Sequence, residues 1–206
     1  MSRHPKIIRR GVAMLALGVG SPLGAQALGA GYQIARANQI DMRQSNGLGL
    51  RLRLRVPIDL RYDYLVADGQ RFDSLCGGFV PLNCPVETIN TSSRLHSVFI
   101  AARARLLARG SWQLSALPEV GFVSGTIVKR GVASGGRSDA TGGGLGAGGA
   151  VELFASRVGG TPLGGWVAAR VRRFVHPGTY IADAYEPHRG LDWIRSVEFG
   201  VTFALR

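Results

Sequence analysis

From Gly47 to Val56 leucine and arginine take turns. Leu48, Leu50, Leu52, Leu54 and Val56 hold the even positions, and Arg51, Arg53 and Arg55 the odd ones. A period of two is the signature of a β-strand, so one face is aliphatic and the other carries guanidinium groups. No ordinary soluble core accommodates a row of arginines. An arginine facing lipid at mid-depth costs roughly 2–4 kcal/mol. The consistent arrangement closes the sheet on itself, encloses the arginines and turns the aliphatic rows outward toward hydrocarbon. The alternative is a secreted sandwich with solvated charges outside. The two differ in whether the leucine or the arginine face is exposed.

The same alternation marks strands near Gly29–Arg36, Gly47–Val56, Ile58–Ala67, Arg94–Leu107, Trp112–Ser124, Gly144–Arg157, Gly165–Val175 and Leu191–Leu205. Three connections are tight, at Pro57, at Ala108 to Ser111 and at Gly159 to Pro162. Four are longer: Ala37–Asn46, Asp68–Ser93, Gly125–Gly143 and His176–Gly190. Long and short therefore alternate, as in membrane barrels with short turns at one end and longer loops at the other. The expected fold is all-β: an eight-stranded antiparallel up-and-down transmembrane β-barrel. Eight strands leave an interior just wide enough for side chains to fill, which argues against a general porin.

Parity assigns the faces. Ile58, Leu60, Tyr62, Tyr64 and Val66 point out, against Asp59, Arg61 and Asp63. The predicted lumen charge network comprises Arg51, Arg53, Arg55, Asp59, Asp63, Arg103, Arg105, Glu119, Glu152, Arg170, Arg172 and Glu198. Unpaired buried charge is costly, so these groups must neutralise one another. Neighbouring strands suggest Asp59 with Arg105, Glu152 with Arg170, and Glu198 with Arg172. Trp112, Tyr64 and Trp193 fall where interfacial girdles belong. Trp166 breaks the rule by lying on the inward parity and Arg173 by lying on the outward one. Pro118, inside a strand, points to a bulge.

The N-terminus fits export. Arg3, Lys6, Arg9 and Arg10 precede the apolar run Gly11 to Gly20, which is followed by Ala25-Gln26-Ala27, a small-x-small cleavage signal. Residues 1–27 read as a signal peptide and 28–206 as the barrel domain. Removing the signal lowers the net charge from +12 to +8. Such a balance can indicate nucleic acid, but export argues against it and favours lipid phosphate or polysaccharide as the anionic partner. Cys76 and Cys84 are expected to pair as a disulfide in an oxidising compartment, with two free thiols as the other reading.

The last strand carries the most specific signal. Val197, Phe199, Val201, Phe203 and Leu205 alternate with smaller or polar residues. The run from Glu198 through Gly200 and Phe203 to Leu205 resembles the C-terminal signal of the small outer-membrane barrels, the family that includes the OmpA membrane domain and OmpX. In that pattern a final aromatic is usual, whereas here leucine and then Arg206 close the chain. The resemblance implies residence in the bacterial outer membrane among its lipids, insertion by the barrel-assembly machinery, and no cofactor. It implies a structural or surface-interaction role. Two further readings are a lipid A-modifying barrel enzyme and a secreted lipocalin-like binder.

Other motifs carry less. Gly144, Gly146 and Gly149 formally make GxGxxG, but a loop precedes them and a helix is not expected after them, so dinucleotide binding does not follow. These glycines instead leave room in a crowded lumen. His96 and Ser97, with Glu119 or Glu152, supply the residue types of acyl hydrolysis, but adjacent strand residues face opposite ways. His176 and His188 read as solvated loop residues. Lys129, Arg130 and Arg137 make the third external loop basic and suggest contact with anionic lipid headgroups.

Overall fold

The computed structural model describes residues 25–37, 44–74, 86–156, 161–175 and 193–205. They form β1 (Ala25–Ala37), β2 (Ser45–Leu54), β3 (Ile58–Ser74), β4 (Val86–Ala102), β5 (Ala104–Arg109), β6 (Trp112–Gly131), β7 (Arg137–Ala155), β8 (Leu163–Val175) and β9 (Trp193–Ala204). Each pairs antiparallel with its sequence neighbour, save that β4 and β5 are two lengths of one wall strand, both paired with β6. The wall thus has eight staves. It closes where β9 meets β1, from Ala27 opposite Ala204 to Ala37 opposite Ile194. Over the height that all eight staves share, closure leaves no free edge among the described residues, the condition for a sheet in lipid.

The break between β4 and β5 has a local cause. The β4–β6 ladder ends with Ala101 opposite Glu119 and resumes with Ala104 opposite Ala116. Pro118, which has no N–H to give, lies in the gap. The Arg103 N–H turns away and donates to the Pro57 carbonyl at 2.7 Å. The irregularity expected on the proline's own strand is therefore taken up by its neighbour. Against β7, Pro118 stays in register opposite Gly149.

The outward face is apolar around the whole wall. Ile34, Leu48, Val98, Val120, Leu145, Val151, Val167, Val197 and Val201, drawn from seven strands, are all exposed. Their placement forms a belt rather than a patch, which marks a membrane-embedded surface. The inner face carries the charged rows. The orientation inferred from Leu48 to Val56 is thus the one observed.

The walls differ in height. Spanning a membrane takes about 9–11 tilted residues per strand. β1, β2, β8 and β9 have 13, 10, 13 and 12. By contrast β3, β4, β6 and β7 have 17, 17, 20 and 19. At about 3.3 Å per residue, seven extra residues project roughly 20 Å beyond the belt. Consequently the connection expected over Gly125–Gly143 is not a long loop. It is a tight turn, Val132 to Gly136, between two extended strands, and the strict alternation of long and short ends fails there. Gly135 takes a φ of 67°, a conformation glycine adopts without strain. Above the belt Thr126, Arg130, Asp139 and Thr141 face outward, so the aliphatic row that signals a strand in the sequence disappears.

The first strand begins at Ala25, three residues before the expected mature start, and the Leu205 N–H donates to the Gln26 carbonyl at 2.9 Å. Cleavage after Ala27 would remove these first rungs. Cys76 and Cys84, and the loop histidines His176 and His188, lie outside the described residues.

The tall hairpin is stapled at its tip. Glu87, on β4, accepts the Ser134 hydroxyl and the backbone N–H groups of Ala133 (2.6 Å) and Ser134 (2.9 Å). These bonds, the Ser134 hydroxyl foremost, hold the carboxyl below its usual range. A group with a depressed folded pKa stabilises above its unfolded value, about 4.3 for glutamate, and loses that contribution as pH falls. Hydrogen exchange is expected to show the Ala133 and Ser134 amides protected near neutral pH and released in acid. Glu87→Gln should abolish the acid step; a step that survives it would place the switch elsewhere.

Candidate functional site in the barrel lumen

The inward rows of β2, β3, β6, β7, β8 and β9, with Arg103 from the break between β4 and β5, meet across the lumen in two charged clusters. In the first, Arg51 lies between Asp59 and Glu152: its Nε donates to Asp59 at 3.0 Å, one terminal nitrogen donates to Glu152 at 3.0 Å, and each carboxylate takes a further, shorter bond. Arg53 donates to Glu152 at 2.7 Å and stacks 3.7 Å over Phe154. Arg103 completes the group, donating to Asp59 at 3.0 Å and to the carbonyls of Leu54 and Val56 at 3.1 and 3.0 Å.

The second cluster lies farther from the tight turns. Arg170 donates to Glu119 at 3.2 Å and to Glu198 at 2.7 Å. Arg172 donates to Glu119 and Asp63, both at 2.6 Å, and sits 3.8 Å over the Phe99 ring. Arg61 donates to Glu198. Here three arginines face three carboxylates and the charges cancel. In the first cluster three arginines share two carboxylates, leaving one positive charge.

Above the charges lies an apolar layer. Leu65, Leu95, Phe99, Val123, Ile127, Phe174 and Ile194 pack together inside the barrel toward its tall end. Below, near the turns, Trp166 is buried against β1. A Cβ on Gly29 or Gly31 would approach its ring to 2.8 Å, so those glycines form the floor that receives it. The inward parity of Trp166 is therefore no exception to the pattern but a lumen packing site. Gly146 of the GxGxxG run serves likewise: a Cβ there would meet Phe174 at 2.9 Å. The run lies inside β7, between strands and with no helix after it.

Most of the expected network residues converge, but with different partners. Glu152 meets Arg51 and Arg53 rather than Arg170; Glu198 meets Arg61 and Arg170 rather than Arg172. Asp59 takes Arg103 in place of Arg105. Parity tells which way a side chain faces, whereas an arginine reaches across the lumen to strands that are not neighbours. Arg55 and Arg105 stand exposed at the turn end instead of within the clusters, because the strand breaks at Arg103 and the chain bends at Arg55. Arg61, absent from the expected network, is nearly fully buried and is part of it. Its inward parity was the available signal.

The ingredients of acyl hydrolysis stay apart. His96 lies on the outer surface, its Nδ1 2.7 Å from the Tyr62 hydroxyl and its ring 4.8 Å from that of Tyr64. Ser97 faces the lumen beside Arg172. Glu119 and Glu152 are engaged by arginines.

This wall, belt and filled lumen can be set beside known proteins. No family model matches the chain, and no curated protein resembles it in sequence. Solved structures do resemble it. The N-terminal β-barrel domain of Pseudomonas aeruginosa OprF superposes with a TM-score of 0.51 at 11% identity, covering 87% of this chain and 98% of that one. A major outer membrane protein from Thermus thermophilus gives 0.56 at 10% identity, covering 88% and 100%. The protein has the fold of the small outer-membrane β-barrels. At such identity the likeness is one of architecture, and it agrees with the resemblance carried by the last strand.

In this barrel, breaking a buried pair from one side leaves the other charge stranded, at a cost of about 3–5 kcal/mol. Glu152→Gln leaves Arg51, Arg53 and Arg103 to share Asp59 alone. In urea titrations of the detergent-solubilised protein, its unfolding free energy is expected to fall by roughly that amount. An unchanged midpoint would mean that Glu152 does not balance them.

Proposed function

We propose that this chain is an integral protein of the bacterial outer membrane with a structural and surface-interaction role. The observation that carries this reading is the division of its outer surface: an apolar belt all the way round, surmounted on one side by a mostly polar wall of β3, β4, β6 and β7 that also exposes Phe72 and Val86. The belt fixes the protein in lipid, and the wall presents a rigid sheet beyond it. The β9 signal around Gly200 and Phe203 supports handling by the barrel-assembly machinery during insertion.

The lipid contact is better placed at the low wall than at the third external connection. Lys129 turns inward, and Arg137 is held by Asp139 at 2.6 Å; only Arg130 remains as an outward cation there. On the low wall Arg36 and Arg195 are directly opposite across β1 and β9, and Arg173 is opposite Trp193 across β8 and β9. All three arginines are exposed, and Arg195 lies 4.6 Å over the Trp193 ring. Like charges directly opposite one another destabilise a sheet unless an anion lies between them. These residues stand one step outside the belt residues Ile34, Val171 and Val197, at headgroup depth. Anionic headgroups of the outer leaflet satisfy them.

Each arginine near an anionic surface contributes about 1 kcal/mol. The triple variant R36Q/R173Q/R195Q, in nanodiscs with a minor fraction of anionic lipid, is expected to lose at least tenfold in headgroup enrichment around the protein, read by native mass spectrometry. Equal enrichment in the parent and the variant would overturn the lipid assignment. A parent protein that remained monodisperse without detergent would overturn the membrane reading itself.

A further inference from the structure

The opposite end of the barrel carries a feature that membrane anchoring does not use. Between the tight turns the lumen opens into a cavity of about 690 Å³. Among the described residues four arginines line it, Arg53, Arg55, Arg103 and Arg105, and no carboxylate does. The nearest acids, Asp59 and Glu152, are already shared among Arg51, Arg53 and Arg103. That cluster retains one positive charge. Arg55 and Arg105 add two more, with no carboxylate partner among the described residues.

Two groups at the mouth are preset to receive an anion. Arg103 is fixed by Asp59 and two backbone carbonyls, so little conformational freedom is left to lose on binding. Arg53, only 4% exposed, borders the cavity and is held in place by Glu152 at 2.7 Å and by Asp59, 3.6 Å from its Nε. A guanidinium fork matches the paired oxygens of a phosphate better than it matches a monatomic anion. Three uncompensated charges favour a multivalent group. The volume falls within the range of small-ligand sites, about 300–1,000 Å³, and exceeds what a lone phosphate fills.

We propose that the turn-end mouth is a binding site for a phosphate-bearing anion larger than orthophosphate, held by Arg55 and Arg105 against the fixed Arg53 and Arg103. Such a group arrives from two sources, a soluble phosphorylated molecule or the headgroup of a lipid in the adjoining leaflet. The test separates them. The full chain, folded in non-ionic detergent at low salt, is titrated with inorganic pyrophosphate by calorimetry. In parallel, the protein in phosphatidylcholine nanodiscs with and without phosphatidylglycerol is followed by phosphorus NMR.

Saturable pyrophosphate binding, weakened at least tenfold in R55Q/R105Q, supports the site with a soluble ligand. A bound phosphatidylglycerol signal lost in R55Q/R105Q, without pyrophosphate binding, supports it with a lipid ligand. In the pyrophosphate arm R36Q/R173Q/R195Q should bind as the parent does, and in the lipid arm each variant should lose only its own rim's share of the bound signal, so a lipid effect at the far rim is told apart. Both altered residues are exposed, and the heat-shifted gel mobility of a closed barrel confirms folding. If the double variant does not fold, R55Q and R105Q singly, each expected to weaken binding several-fold, replace it. Absence of saturable binding in both arms, or binding indifferent to these changes, overturns the proposal.

Discussion

Everything in this barrel rests on the pairing of buried arginines with buried carboxylates. Arginine stays protonated in any setting a protein provides, so a lumen full of guanidinium groups has no route to neutrality except through partners. Asp59, Asp63, Glu119, Glu152 and Glu198 supply them, each buried and each shared by more than one arginine. Once the charges are satisfied inside, the alternate residues of every strand point outward, and those are aliphatic or aromatic. The lipid-facing belt is the other half of the same alternation.

That alternation is why so much was legible in the sequence. Leu48 to Val56 determines both faces of one strand, and the same period in β3, β8 and β9 extends the argument around the wall. Facing was readable because it depends only on parity. Partnership was not. Which carboxylate meets Arg170 or Arg172 depends on register and on reach across a closed lumen, and no local pattern records either. The break at Arg103 shows the limit well: Pro118 was visible, but its effect fell on the strand beside it, and Arg105 left the network as a result.

The tall wall was missed for a related reason. Hydrophobic alternation reports strands only where one face meets lipid. Beyond the belt Thr126, Arg130 and Asp139 face water, and the β7 extension runs through Gly142, Gly143 and Gly144. The inner face still alternates, with Val123, Gly125, Ile127 and Lys129. Without an apolar outer row, that signal looks like a polar, glycine-rich loop.

The lumen is stratified: an apolar layer toward the tall end, a neutral charged cluster below it, and a cluster with surplus positive charge nearest the turns. A hydrated ion moving along the axis meets carboxylates already engaged by guanidinium groups, then a stratum of leucine, isoleucine and phenylalanine offering no coordination at all. These barriers are opposite in kind, so loosening one does not open the other. A lumen filled in this way favours a plugged cylinder over a conducting one.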